Sequence, residues 1–442
     1  MNLIFSLRLK FLLCVFLLSE LSFGQLQSGF IIDTVKCSTG NEQSYALYLP
    51  SYYSPAKKYP IVYFFDPAAR GRLPVELYHH VAEELGYILV CSNNSKNGSW
   101  DIGLNAAEAV LNDSGKKFSL DESRLILSGF SGGSRLAHYI AVISGNFYGV
   151  IGVGATQAPM IDQNVLKKQN FKYVGLVGNQ DMNYQEHKIF SENLNKVDVS
   201  NLLVISSQDH QWAPASDFKL ALMWLEGLES HAVEIGNIFD EKYMKSKDSI
   251  ALNDWRLMDS QLQLKKLNFD EKLTKFIKKR DTKIRDKESE IKLQISDSLK
   301  VAYSLSENSK TLENVKRKLL TIQNRAKTVK DLEDRKMYLR ILNHFFATGY
   351  ESAIESMIIE NYDLAIIGFE VMGAASINPR PSLFYLAKVY ALKGEDTECL
   401  YYLEKLVAQG FKRVELLNDV AFERVRSTEK FASITNGISF ND

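Results

Sequence analysis

Gly129-Phe130-Ser131-Gly132-Gly133 sets a serine in the pattern G-x-S-x-G. A free hydroxyl is a weak nucleophile, so such a serine attacks a carbonyl carbon only when a nearby base takes its proton. The flanks suit the pattern. Leu125-Ile126-Leu127 precedes it as a strand-like run, and Arg135 to Ile140 follows as a helix-like one. The spacing therefore predicts a sharp turn between strand and helix, with the glycines allowing the two to approach closely. A carboxylate and then a histidine should follow in chain order, each after a later strand. Asp181 follows Tyr173–Val177 through Gly178-Asn179-Gln180, and His210 follows Leu202–Ile205 through Ser206-Ser207-Gln208-Asp209. The chain has 7 histidines. His79 and His80 lie upstream of the serine, His138 and His187 lie in helix-like stretches, and His231 and His344 lie beyond the last strand-like run. His210 alone occupies a loop after a strand downstream of the acid. Asp209 is a weaker alternative to Asp181, because adjacency to His210 makes a side-chain hydrogen bond awkward. In this reading Ser131 attacks, His210 carries the proton and Asp181 orients the imidazole.

Negative charge developing on the attacked oxygen needs two N–H donors. Gly132, just after the serine, is one candidate. The other should lie in the loop Asp66-Pro67-Ala68-Ala69-Arg70-Gly71; Pro67 has no N–H, which leaves Ala68. Asp66 would brace or cap that loop. Trp100, Tyr184 and Trp212 lie near the motif loops, as pocket lining or as plain packing.

These residues need a scaffold, and residues 30 to 228 supply one. Apolar runs at 61–65, 87–91, 124–127, 149–153, 173–177 and 202–205 are bounded by Gly, Asp or Asn, as strands buried on both faces of a parallel sheet are. Amphipathic stretches such as Pro74–Leu85, Leu104–Leu111 and Arg135–Ile143 alternate with them. Ile31–Val35 and Tyr45–Leu49 would lead as antiparallel strands. The expected fold class is α/β, a doubly wound sheet. After Glu229 the texture becomes helical, and Leu312, Val315, Leu319, Ile322 and Ala326 line one helix face. Towards the C-terminus Ala353/Ala387, Ala365/Cys399 and Phe369/Leu403 recur at a step of about 34 residues, which resembles a tetratricopeptide array. The expected division is a leader at 1–24, an α/β domain at 25–229, a helical linker or bundle at 230–345 and repeat-like helices at 346–442.

Asp121 to Ala137, Gly152-Val153-Gly154-Ala155 and Asp209-His210-Gln211-Trp212 resemble the α/β-hydrolase superfamily, in its secreted esterase, polyhydroxybutyrate-depolymerase-like or dienelactone-hydrolase-like branch. The resemblance covers under half of the chain. It implies Ser131, Asp181 and His210 as a catalytic triad and an ester or acylated small molecule as substrate. Where that family has His-Gly after its third strand, this chain has Asp66-Pro67.

The 442 residues carry 53 Lys+Arg and 53 Asp+Glu, so no global charge draws the protein to nucleic acid or an anionic membrane. Arg8 and Lys10, the apolar Phe11–Leu18 and the small residues around Ser22-Phe23-Gly24 make a secretory leader, with export to the periplasm or beyond as the expectation. That apolar run is short for a membrane span, and the leader and repeats together resemble a bacterial envelope protein. After cleavage three cysteines remain, Cys37, Cys91 and Cys399, an odd number that makes no disulfide framework. No His/Cys spacing suggests a metal, and no cofactor is expected. Ester hydrolysis is the leading expectation. Peptide hydrolysis on the same triad is the second, and the third is an inactive hydrolase-like domain serving helices that bind a protein partner.

Overall fold

The computed structural model describes residues 27–38, 42–168, 170–246, 252–262, 264, 271–304, 309–411 and 418–435. The expected leader at 1–24 lies outside them. The chain divides into two compact units, one ending at Tyr148 and one beginning at Gly149. The eight-stranded mixed sheet has the order β1-β2-β4-β3-β5-β6-β7-β8. With the helical region that follows, it is the expected α/β-hydrolase type of fold.

In the first unit β1 (Ile31–Lys36) pairs antiparallel with β2 (Ser44–Tyr48), and β2 antiparallel with β4 (Ile88–Ser92). β3 (Tyr59–Phe65) runs parallel to β4 on one side and to β5 (Leu120–Phe130) on the other. Every residue of β3 is buried, which is why Tyr-Pro-Ile-Val-Tyr-Phe-Phe shows no alternation. Edge strand β1 keeps Asp33, Thr34 and Lys36 exposed, which blunts an open edge. α1 (Arg72–Leu85) buries Val75, Tyr78, Val81 and Ala82 and ends at left-handed Gly86. α2 (Trp100–Lys117) buries small residues, Gly103, Ala106 and Ala107 among them. Its buried Asp113 binds the Ser38 N–H and hydroxyl at 2.7 Å, Tyr45 Oη at 2.9 Å and Lys117 Nζ at 2.8 Å, pinning the chain after β1.

In the second unit β6 (Gly149–Val153), β7 (Lys172–Gly178) and β8 (Asn201–Ser206) are parallel. A short helix α4 (Gln163–Leu166) precedes β7; α5 (Tyr184–Lys196) and α6 (Ala215–Glu226) follow β7 and β8. Then come α7 (Leu228–Ser246), α8 (Leu252–Gln261), α9 (Glu271–Ser304), α10 (Ser309–Thr328) and α11 (Leu332–Ile358). The expected stripe on α10 is real: Val315, Leu319, Ile322 and Ala326 are buried with Leu299, Ile341 and Phe345, and Leu312 packs against them. α12 (Tyr362–Ala375), α13 (Arg380–Lys393) and α14 (Asp396–Ala408) complete two successive helix pairs. Ala353, Ala365, Phe369, Ala387, Cys399 and Leu403, the positions of the periodic step, are all buried. The sequence texture changes after 229, but strands β6 to β8 belong to the same compact unit as the helices.

Candidate functional site

The turn at Ser131, the expected nucleophile, lies wholly in the first unit. β5 ends at Phe130, and α3 (Gly132–Ser144) begins two residues later. Ser131 between them has φ 53° and ψ −120°. A side chain in that conformation costs about 1–3 kcal/mol, which the surroundings must hold in place. They do so by close approach. A Cβ on Gly129 would lie 2.2 Å from Gly133 O, one on Gly133 1.9 Å from Phe65 O, and one on Gly132 2.0 Å from Asn97 Oδ1. The strand end, the helix start and β3 therefore meet backbone to backbone under the serine. Gly133→Ala is expected to destabilise the protein by about 3 kcal/mol, read as a lowered denaturant midpoint at constant slope, because the obstacle is a carbonyl of a buried strand.

The loop after β3 is organised by Asp66, which is fully buried. Its Oδ1 accepts from Ala68 N–H at 2.8 Å and Arg70 Nε at 2.9 Å, and Oδ2 accepts from Arg70 Nη2 at 2.9 Å. Ala68 N–H, expected as the second donor to a substrate oxygen, is thus committed inside the loop. The physical reason is an Asx turn, a carboxylate two residues back capturing the amide. Asn97 N–H donates to Pro67 O at 2.8 Å, and Lys96 bridges Ala68. The loop after β4 is thereby fastened to the loop after β3, with the Asn97 amide lying over Gly132.

Asp181 and His210, the expected acid and base, lie in the second unit. His210 Nδ1 is 2.9 Å from Asp181 Oδ2. An ionised carboxylate only accepts, so Nδ1 carries the hydrogen and Nε2 presents the lone pair. Asp181 is buried, and its Oδ1 accepts from Asn183 N–H at 2.7 Å. The two loops are stitched together: Asn179 N–H donates to Ser206 O at 2.8 Å and Gln180 N–H to Gln208 O at 2.9 Å. A Cβ on Gly178 would lie 2.2 Å from Gln208 O, so only glycine lets them meet. Of the three aromatic residues near the motifs, Tyr184 is buried with its hydroxyl on Asp254, Trp212 is buried, and Trp100 packs at 5.3 Å on Tyr139. Tyr184 is therefore core, not pocket lining. Among the described residues no cluster of His, Cys, Asp and Glu could hold a metal ion, and no helix is long and apolar enough to cross a membrane.

No family model and no curated protein matches the chain. Solved structures do. It is similar to S-formylglutathione hydrolase from Staphylococcus aureus, at 16% identity over 44% of this chain and 96% of that one, with a TM-score of 0.37. A ferulic acid esterase matches at 16% identity over 44% and 96%, with a TM-score of 0.39. Dipeptidyl peptidase 4 of Porphyromonas gingivalis matches at 15% identity over 46% of this chain and 35% of that one, with a TM-score of 0.35.

Proposed function

We propose that this protein is an exported serine hydrolase that cleaves carboxylic esters through an acyl-enzyme. Ser131 Oγ attacks the carbonyl carbon as His210 Nε2 takes its proton. His210 then returns the proton to the leaving alcohol, and water repeats the sequence to release the acid. Asp181 holds the imidazole in the required tautomer and stabilises the imidazolium that forms. The observation that carries the reading is the Ser131 backbone. Three glycines crowded against backbone and side chain hold a non-glycine residue in a costly conformation, and such strain is retained at functional turns. The Asp181–His210 pair supports it, since a buried carboxylate on Nδ1 is what a neutral histidine base needs.

Gly132 N–H is the first donor to the substrate oxygen in this reading. With Ala68 N–H engaged, the second donor is the side-chain amide of Asn97, seated against Gly132. The leader at 1–24 supports export, and the paired helices of the C-terminal region support a protein partner as their further use.

A fluorophosphonate probe tests the reading. It should attach once per chain at Ser131 in the purified protein, by peptide mass spectrometry, and Ser131→Ala should abolish attachment. The engaged Ala68 N–H favours a second reading, a hydrolase-like domain that no longer turns over. Absence of labelling at Ser131 would select that one, and turnover of short peptides without esters would select a peptidase.

A further inference from the structure

The peptides around Asp181 are held from both sides. Their N–H groups go to strands and loops of the sheet: Asn179 N–H to Ser206 O, Gln180 N–H to Gln208 O and Asp181 N–H to Gly178 O. Their carbonyls go to the helical region. Asn179 O accepts from Arg340 Nη1 at 3.0 Å, Gln180 O from Asn343 Nδ2 at 2.9 Å and Met182 O from Lys292 Nζ at 3.2 Å. Arg340 and Asn343 lie on α11, and Lys292 lies on α9.

The donors are themselves fixed. Glu288 is buried and binds both cations, Arg340 through Nε at 2.9 Å and Nη2 at 2.7 Å, and Lys292 at 2.9 Å. Burial alone would raise its carboxyl, and Arg340 and Lys292 together bring it below its ordinary value. The Arg340 guanidinium also lies 4.8 Å from the Tyr184 ring centre. A second buried cation, Lys188 on α5, reaches Asp281 of α9 at 2.8 Å and Asp254 of α8 at 3.2 Å. Buried charges of this kind persist only when paired and hydrogen-bonded, so the helices and the Asp181 loop have one mutual arrangement.

We propose that the helical region clamps the acid loop, with Arg340, Asn343 and Lys292 acting as positioning residues for Asp181, so that hydrolysis by this chain requires its helical half. The inference rests on the proposed triad. It gives the helices a role within the reaction as well as towards a partner.

Removing Arg340 would strip buried Glu288 of two hydrogen bonds on Oε2 and threaten the fold, whereas Lys292→Met leaves both in place. The decisive variants are therefore Asn343→Asp, which does not touch Glu288, and Lys292→Met, both in the full chain. Asn343→Asp keeps the shape but turns a carboxylate oxygen on Gln180 O. Each should lower kcat on an ester by about 10- to 100-fold with KM within about twofold, since a misplacement near 1 Å costs that much. In the Asp181→Asn background the same substitutions should change kcat by less than about twofold, because their effect passes through the carboxylate. Equal losses in both backgrounds, or no loss in either, would overturn the clamp. Amide hydrogen exchange separates this failure from that of the triad. Residues 179–183 should exchange faster in Asn343→Asp whether or not Ser131 is the nucleophile, and unchanged exchange overturns the clamp by itself.

Discussion

His210→Ala is expected to lower kcat for ester hydrolysis by about 10⁶-fold, and Asp181→Asn by about 10⁴-fold, with KM little changed. The difference follows from the roles proposed for the two side chains. In the proposed mechanism His210 is the group that takes the Ser131 proton, and without it the hydroxyl is left at its ordinary reactivity. With Asp181→Asn the imidazole remains in place, but the amide that replaces the carboxylate no longer demands a hydrogen on Nδ1. The wrong tautomer is then populated and Nε2 loses its lone pair. Because the groups act as a unit, Ser131→Ala combined with His210→Ala should be no worse than either alone. Stability should separate the two sites. His210→Ala removes a side chain that is only 20% exposed, and with it the Nδ1 hydrogen bond to Asp181, whose carboxylate retains the Asn183 N–H. A cost of about 1–3 kcal/mol is expected for that partly orphaned buried group. Steady-state kinetics and denaturant unfolding of the same preparations check both parts. A loss below tenfold in His210→Ala would remove His210 from the mechanism.

The α/β part of this fold is legible because its signals are local. A strand buried on both faces has no choice but an apolar run, as in Tyr59–Phe65 and Tyr173–Val177, and the turn at Ser131 needs glycines at set offsets. The partnership of Asp181 with His210 is legible for a related reason: both residues follow parallel neighbouring strands, so their loops emerge at one sheet end. What joins β6–β8 to the helices is different in kind. Lys188, Asp254, Asp281, Glu288, Lys292 and Arg340 are ordinary charged residues in amphipathic stretches, and by composition each belongs on a solvated face. Arg340 nonetheless reaches Asn179, a hundred and more residues away in sequence, in a buried site. No period or motif marks such a pairing. A boundary drawn after 229 from the change of texture therefore runs through a network that the folded chain treats as continuous. Ala68 is a third case. An Asp two residues ahead of an amide is a turn former, and Asp66-Pro67-Ala68 carries that signal: the carboxylate expected to brace or cap the loop does so through the Ala68 N–H itself.

Asn97→Ala is expected to lower kcat by about 10²- to 10³-fold, the usual cost of deleting one donor to a developing oxyanion. Two donors are needed; Gly132 N–H is the one proposed, and the Ala68 N–H is spent on Asp66 at 2.8 Å. The Asn97 amide sits where a Gly132 side chain would stand, with Oδ1 2.0 Å and Nδ2 3.3 Å from that Cβ position; a half-turn about χ2, which is broad and two-fold for Asn, exchanges the two and presents Nδ2 as the donor. Its loop is held to the Pro67–Ala68 segment by the Asn97 N–H and by the Lys96 bridge, so the amide is delivered by two fastened loops. Since the charge on the oxygen appears only after attack, the loss should fall on kcat and leave KM nearly unchanged. Asn97→Asp should be worse than Asn97→Ala, because a carboxylate facing the oxyanion repels what the amide stabilises. The sequence hides this residue among Asn93, Asn94 and Asn97 of one polar loop, where only the fold distinguishes them. Asn93 and Asn94 hold the chain around Ser44 and Glu42, and substitutions there should touch stability before rate. Opening the Ala68 amide gives the complementary test: Asp66→Ala in the Asn97→Ala background frees that N–H. A partial recovery of kcat in the double variant would show that the two positions serve the same oxygen, whereas full activity in Asn97→Ala alone would place the second donor elsewhere.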